Sequence, residues 1–513
     1  MKISGNIQKN YPAVFMLIAV VTALAACKKG FLDRDPQGRY TSDTYPYPQG
    51  SSPFDQYVFA AYGALRSYNV SATPFIAAVS IRSDDADKGS TPGDGGADAQ
   101  DMDNFPVSPS NGMANGLWTG YFDLINKCNI VMDQVANNEE ITASDEIKRQ
   151  SLAEARFIRA YGYFMLVRLF GRVPLIDTVT GTSANIPQSA PGVIYPFIEK
   201  DLQYAAANLP LSWDARFVGR ATQGAANGLL AKVYLTEKKW GMAMDAADLV
   251  IQSGQYDLST PYDRIFGEDG ENTRESVFEI QATADATTPT DYGIQYASVQ
   301  GVRGTGSWDL GWGWNTPSTR LLYAYEDGDP REARTVLFTS TPGHPGLTIY
   351  GEVTPLGLPN PRYNNKVYTN PAMRNEVGNR GGYWMNVRVL RYADVLLMYA
   401  EAANEAGNTA AALEKLEMVR ARARGDDANI LPEITTTDQH QLRQIIRHER
   451  RVELAMEHER FFDLVRWGVA ADTLHAAGKN NFSGSRDNLL PVPQAQIDLS
   501  KGELTQNPET RTS

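Results

Sequence analysis

Residues 221–251, ATQGAANGLLAKVYLTEKKWGMAMDAADLVI, decide the fold class. Over Ala221–Leu235 the side chains Ala225, Ala226, Leu229, Leu230, Val233 and Tyr234 recur at the 3.6-residue period of a helix with one apolar face. Lys238-Lys239 makes a turn, and Trp240–Ile251 resumes the period with Ala243, Met244, Ala247, Val250 and Ile251. Two helices joined by so short a turn lie antiparallel. The small residues on their faces suit close packing.

The pattern returns on both sides of this hairpin. Glu154–Phe170 carries Phe157, Ile158, Tyr161, Phe164, Met165 and Leu169 on one wide face, and Gly171 and Pro174 stop it. Val389–Ala406 aligns Ala393, Leu396, Leu397, Ala400 and Ala403. Gly407 ends that helix, and Asn408-Thr409 caps a partner carrying Ala412, Leu413, Leu416 and Val419. A last helical block spans Gln441–Trp467. The pairs repeat at roughly the spacing of tetratricopeptide units. The expected fold is mainly α, a scaffold of tetratricopeptide-like helical hairpins. Two segments depart from it: Asp84–Gly116, rich in Gly, Asp, Ser and Pro, and Gln281–Asn379, rich in Gly, Pro, Asn and aromatics. Long irregular stretches in a compact protein carry function, so the ligand site is expected on this loop-rich portion. The expected division is 1–26 signal peptide, 27–50 tether, 51–280 N-terminal helical part with the acidic loop 84–116, 281–384 loop-rich insertion, and 385–513 C-terminal helical part and tail. All but the leader and tether form one composite domain.

The N-terminus has its own signature. Lys2 and Lys9 precede an apolar run, Ala13–Ala26, broken only by Thr22, and Leu24-Ala25-Ala26-Cys27 ends it. This is a secretory signal with a cysteine at the cleavage point, too short to span a membrane comfortably. The expectation is cleavage before Cys27 and lipidation of Cys27, with Lys28-Lys29-Gly30 beginning a tether; Lys28, in place of Asp, favours the outer membrane. The 513-residue chain carries a formal charge of −12, and loss of Lys2 and Lys9 makes the mature chain more acidic still. An acidic body argues against a nucleic-acid partner and against adhesion to anionic lipid. Attachment then falls to the lipid. Cys128 is the only other cysteine, so no internal disulfide is expected, and its apolar helical setting makes it a core residue.

No enzyme signature is present: no His-Glu-x-x-His, Cys-x-x-Cys, Gly-x-Ser-x-Gly or phosphate-binding loop. Gly304-Thr305-Gly306 is a turn, and 5 scattered histidines do not make a metal cluster. Asp84, Asp85, Asp87, Asp94, Asp98, Asp101 and Asp103 either form a solvated acidic loop or hold calcium, though not at EF-hand spacing. The run Arg447 through Arg460 reads as an ion-pair lattice on a helix surface, Arg450 reaching Glu453 and Glu457. Three of the chain's 8 tryptophans, Trp308, Trp312 and Trp314, fall within Trp308-Asp309-Leu310-Gly311-Trp312-Gly313-Trp314-Asn315. This stretch is a strand with its aromatics on one side, a plug under a loop, or a set of flat rings offered to a sugar beside polar donors such as Asn315. Tyr296 and Phe105, with Tyr68 and Tyr292, are weaker candidates for the same wall, and Asp84 and Asp85 for its polar contacts.

The ordered motifs resemble the SusD/RagB-like lipoproteins. They include Phe31-Leu32-Asp33 after the cysteine, Trp118-x-x-Tyr121, Glu154-Ala155-Arg156-Phe157-Ile158-Arg159-Ala160-Tyr161 and Leu169-Phe170-Gly171. Further along stand Gly219-Arg220-Ala221-Thr222, Asp329-Pro330-Arg331, Arg391-Tyr392-Ala393-Asp394, Arg460-x-Phe462-Asp463-Leu464 and Leu490-Pro491-x-Pro493. The resemblance implies a cell-surface, outer-membrane nutrient-binding lipoprotein, not an enzyme. Its helical scaffold would face a TonB-dependent (SusC-like) barrel transporter, and its loops would capture an oligosaccharide for delivery. It carries no residue list for the ligand. Against it stand a lipid-anchored glycoside hydrolase, a scaffold that completes a transporter without a small ligand, and a peptide ligand.

Overall fold

The computed structural model describes residues 51–180, 185–283, 287 and 292–507. The signal segment and Cys27 lie outside them. Phe54–Asn138 with Ala143–Ser513 form one compact unit. Its longer helices are α1 (Asp55–Leu65), α2 (Gly112–Asn137), α3 (Asp145–Phe170), α4 (Pro191–Asn208), α5 (Gln223–Thr236), α6 (Trp240–Gln252), α7 (Tyr392–Glu405), α8 (Thr409–Arg424), α9 (Gln439–Glu453) and α10 (Arg460–Trp467). Each of α2 to α8 packs on the next, and α9 joins at α7. The expected mainly α fold is therefore present. The hairpin read from residues 221–251 is α5–α6, and the Thr222 hydroxyl caps it by accepting from the Ala225 N–H at 3.1 Å. Its neighbour α7 continues the stack although residues 253–391 intervene.

Along α3 the apolar face is buried as expected, with Phe157, Ile158, Tyr161, Phe164, Met165 and Leu169 all in the core. Charged residues are buried beside it. Glu154 accepts both Tyr62 Oη at 2.9 Å and Arg220 Nε at 2.7 Å, and Arg159 grips Asp201 with two bonds of 2.8 and 3.0 Å. Cys128 is fully buried, and desolvation raises its thiol pKa, so it behaves as a small hydrophobe.

The intervening segments are tied down by four two-stranded antiparallel pairs: β1 (Ala86–Gly89) with β5 (Trp314–Pro317), β2 (Val173–Pro174) with β3 (Gln188–Ser189), β4 (Ser276–Ile280) with β8 (Val387–Arg391), and β6 (Val336–Phe338) with β7 (Arg362–Asn364). Three sequence expectations are corrected here. Val389 does not open a helix: Val387–Arg391 pairs with β4, and α7 starts at Tyr392. Asp84–Gly116 is not all loop, because it holds β1, a short helix Gly96–Asn104 and the start of α2. The block Gln441–Trp467 is two helices, with Met456 and His458 at φ 63° and 73° between α9 and α10.

The reason for that break is also the largest correction. The charges on α9 are not a surface lattice but a buried one. Glu449 and Glu453 are fully buried. Glu453 meets Arg331 at 3.1 Å, Arg391 at 3.0 Å and Arg422 at 2.6 Å. Glu449 takes Arg331 and, at 2.9 Å, Arg420. Beyond the helix end, Glu457 turns back to Arg391 and Lys366, both at 2.6 Å. Arg450 points the other way, to Asp394 at 2.9 Å and Asp463 at 3.2 Å. Burial alone would raise the Glu453 carboxyl; Arg422, Arg391 and Arg331 together hold it well below the usual carboxylate range. The cluster joins α8, α9 and β8 to Arg331 and Lys366 of the irregular portion, so it fixes the loops on the scaffold.

The half-buried Glu271 carboxyl is shifted in the opposite sense. Burial pushes Glu271 up to about 7 from an ordinary 4.5, against the opposing pull of Arg388 at 3.6 Å and the Asn386 N–H at 2.8 Å. Its folded form holds the proton more tightly than the unfolded chain does. Its contribution to stability is full below pH 4.5 and is lost as the pH rises to about 7. Glu271→Gln is expected to flatten the dependence of Tm on pH across that window. A dependence as steep as the parent's would contradict this assignment.

Candidate ligand-binding surface

The two irregular segments singled out in the sequence meet through β1 and β5, with Ala86 opposite Pro317, Asp87 opposite Thr316 and Gly89 opposite Trp314. The Ser90 N–H donates to the Gly313 carbonyl at 2.6 Å, extending the junction. Trp314 is buried under residues 88–95, with Lys88 Nζ 5.6 Å from its ring centroid. The Lys88 ammonium donates to the carbonyls of Gly89, Thr91 and Asp94 at 3.3, 2.9 and 3.3 Å, which holds the loop closed over the ring. Gly95 sits at φ 75°, and a Cβ there would lie 2.3 Å from the Trp314 ring. Gly95→Ala is expected to cost about 1–3 kcal/mol through this clash and the left-handed backbone, read as a drop in Tm. An unchanged Tm would mean that the loop does not rest on Trp314.

Trp312 goes the other way. In a continuous strand, residues 312 and 314 would share a face. Gly313, at φ 72°, interrupts the pleat, so Trp314 turns inward and Trp312 is left 42% exposed. The Trp312 N–H donates to the Ser298 carbonyl at 2.8 Å, and the close approach of Gly311 to that carbonyl leaves no room for a Cβ, which would lie 2.3 Å away. Trp308, half-buried, packs on Val302, Leu310, Leu337, Tyr363 and Tyr368. The Arg380 guanidinium binds the Gly306 carbonyl and secures the same loop. Beside it, Arg303 donates to Ser90 Oγ at 2.8 Å and pairs with Asp94, whose carboxylate also accepts Ser90 Oγ at 2.5 Å. The Ser90 hydroxyl, with Thr91 and Arg303, holds the Asp94 carboxyl below its usual range. Thr305, Ser307 and Asp309 are exposed on the loop. The loop therefore presents the exposed Trp312 ring and the half-buried Trp308, together called the shelf, on a fixed backbone with charged and hydroxyl groups along the same segment.

Asp84, Asp85, Asn315, Tyr296 and Phe105 are engaged elsewhere, and for them the wall is corrected. Asp84 and Asp85 are buried: Arg460 Nε meets Asp84 at 2.8 Å, and Arg451 lies 2.9 Å from Asp84 and 2.6 Å from Asp85. Asn315 is buried and donates to Gln300 Oε1 at 2.7 Å. Tyr296 is buried with its hydroxyl 2.7 Å from His458 Nε2, and burial pushes that imidazole down to about 3, so it stays neutral. Phe105 belongs to a core cluster with Phe461 and Phe482. Tyr68 and Tyr292 are exposed, the latter within electrostatic reach of Arg66. Three more aspartates of the acidic loop have protein partners: Asp98 accepts the Gly112 N–H at 3.0 Å, Asp101 the Ser108 N–H at 3.4 Å, and Asp103 takes Lys479 at 2.7 Å. Among the described residues no group of three or more His, Cys, Asp or Glu side chains is placed to hold a metal ion. Arg303 and Ser90 carried no sequence signal, because only the β1–β5 pairing brings them to the shelf.

Residues 274–509 match the SusD family model, and residues 83–235 match a SusD-like model described as starch-binding and associating with the outer membrane. SusD-like protein P2 of Formosa agariphila is 30% identical over 432 residues, which cover 80% of this chain and 83% of the relative. The chain belongs to the SusD family. Solved SusD-like structures share its architecture. A laminarin-binding SusD-like protein superposes with a TM-score of 0.76 at 27% identity, covering 89% of this chain and 98% of that one. Surface glycan-binding protein A from Bacteroides fluxus gives 0.73 at 26% identity, covering 90% and 100%. The two family models, over residues 83–235 and 274–509, take in parts of both the helical stack and the loops. Among the described residues no helix is long and apolar enough to cross a membrane.

Proposed function

We propose that this SusD-family protein is a surface glycan-binding lipoprotein that captures an oligosaccharide on the Trp308–Trp312 shelf and passes it to a TonB-dependent outer-membrane barrel. The observation that carries the reading is Trp312: a large ring left exposed on a loop whose backbone is pinned at Ser298, Gly306 and Gly313. A rigid aromatic face beside Arg303, Asp94 and Ser90 suits a sugar, which offers one apolar face and a rim of hydroxyls. Relatives of the same fold that bind laminarin and other glycans support the choice of ligand class. Asp94 at the shelf is held in an ion pair by Arg303, and the reading expects binding without hydrolysis. Affinity electrophoresis in gels containing laminarin, starch or other soluble glycans tests the reading. Retardation by at least one glycan without release of reducing sugar is expected. No retardation across the panel, or release of sugar, would overturn it.

The anchoring reading rests on Leu24–Cys27. Cys27→Ser is expected to move the protein from the membrane pellet to the soluble fraction of lysed cells. Retention in the pellet would remove the lipid from the account.

A further inference from the structure

The loop at residues 379–383 borders the shelf. Both rest on the short helix Tyr296–Gln300. Its Ser298 carbonyl takes the Trp312 N–H at 2.8 Å, and Gly381 packs on the same residue so closely that a Cβ would lie 3.0 Å from Ser298 Cβ. Gly382, at φ 68°, leaves no room for a side chain, since a Cβ there would lie 2.4 Å from Thr369 Cγ2 and 3.0 Å from Ala297 Cβ. The Gly381 N–H donates to Asn379 Oδ1 at 2.7 Å. The loop is thus fixed at its base. From it the Arg380 side chain reaches the turn Gly306–Trp308, where Nη1 donates to the Gly306 carbonyl. The Asp309 N–H donates to that carbonyl at 3.4 Å. One oxygen therefore brings the Arg380 guanidinium together with the residue that follows Trp308.

The other polar groups of these segments are satisfied by one another. Arg303 holds Asp94 and Ser90, and Ser90 Oγ donates to Asp94 at 2.5 Å. Lys88 is buried on three carbonyls. Arg380 and Asp309 differ from them. Both are exposed, and among the described residues neither forms an ion pair. Nε and Nη2 of Arg380 and both carboxylate oxygens of Asp309 make no hydrogen bond there either, although the two residues meet at Gly306. A guanidinium fork donates to two oxygens, and a carboxylate accepts from two hydroxyls. Arg303 cancels Asp94 and Arg380 cancels Asp309, so the exposed charges of these segments suit a neutral ligand. Neighbouring hydroxyls of a pyranose match a donor fork beside an acceptor pair. We propose that Arg380 and Asp309 are the specificity-determining contacts of the shelf, and that they read free hydroxyls on a neutral sugar unit lying on Trp308 and Trp312. The proposal rests on the shelf as the place of capture.

The test is calorimetric titration of the full wild-type chain and of Trp312→Ala, Asp309→Asn and Arg380→Gln. The ligands are laminarin and soluble starch, each in its native and its O-methylated form. Methylation removes the hydroxyl donors and leaves the apolar faces of the sugar. The wild type is expected to bind at least one native glycan, and to bind it more tightly than its methyl ether. Asp309→Asn and Arg380→Gln are each expected to weaken the native glycan about 5-fold or more, the worth of one hydrogen bond, and to lose the preference for the native over the methylated form. The Tm of Asp309→Asn is expected to stay at the parent value, because the carboxylate bonds nothing among the described residues. Unaltered native affinity in both variants, with binding lost in Trp312→Ala, would overturn this proposal and leave the shelf reading standing. An equal loss for native and methylated glycan would also overturn it, since Arg380 and Asp309 would then only steady the loop. Failure of the wild type to bind either glycan would overturn it as well. An affinity in Trp312→Ala equal to that of the wild type would overturn the shelf reading and this proposal with it.

Discussion

Glu453→Ala is expected to destabilise the folded chain by about 3–5 kcal/mol, read from the urea midpoint or Tm. The carboxylate is fully buried and receives Arg331, Arg391 and Arg422 within 3.1 Å. Alanine removes the shared acceptor and leaves three buried guanidiniums crowded with one countercharge fewer. Domains are stable by only about 5–15 kcal/mol, so the loss takes a large share of the total. Glu453→Gln keeps the shape and one acceptor oxygen and is expected to lose less. Because the Glu453 carboxyl is held well below its ordinary range, its contribution is present above that range and is lost as the pH falls. The cluster fastens Arg331 and β8 to α8 and α9, so the loops should loosen first. Amide exchange is expected to rise at residues 331–338 and 387–391 before the α2–α6 stack responds. A loss below about 1 kcal/mol, the worth of an exposed ion pair, would contradict the buried-network account.

The helical stack was legible because its signal is local. The hairpin at residues 221–251 shows its period, its turn and its Thr222 cap within one window. What failed in the sequence depended on distant partners. Val387–Arg391 runs directly into α7, and its apolar residues extend the helical pattern, so only β4 reveals the strand. The charges of α9 sit at i,i+4 spacing, which fits a solvated surface, and nothing nearby announces Arg331, Arg391 or Arg422. Asp84 and Asp85 looked free for the same reason, their partners Arg451 and Arg460 lying far along the chain. The Trp-Gly run was half legible: its place on an irregular segment was clear, but which ring faces water depends on the left-handed Gly313.

Trp312→Ala is expected to weaken glycan binding at least 10-fold, about 1.4 kcal/mol or more, and the double variant with Trp308→Ala to abolish measurable binding. Trp312 is the more exposed of the two rings, and its loss removes the stacking face without touching the core. Trp312→Phe keeps a smaller face and is expected to fall between. The Tm of Trp312→Ala is expected to stay near that of the parent, because the ring is 42% exposed and only its backbone is tied down, at Ser298. Trp314→Ala is expected to do the opposite, lowering Tm by opening a cavity under residues 88–95.

Isothermal titration calorimetry of the wild-type chain and the Trp308→Ala/Trp312→Ala chain with the glycan that most retards the wild type in gels tests the central claim most directly. Saturable binding by the wild type and its loss in the variant is the expected result, the variant still unfolding cooperatively at a Tm lowered by the packing Trp308 gives up. Equal affinity in the two chains would contradict the claim that this SusD-family protein captures its ligand on the Trp308–Trp312 shelf.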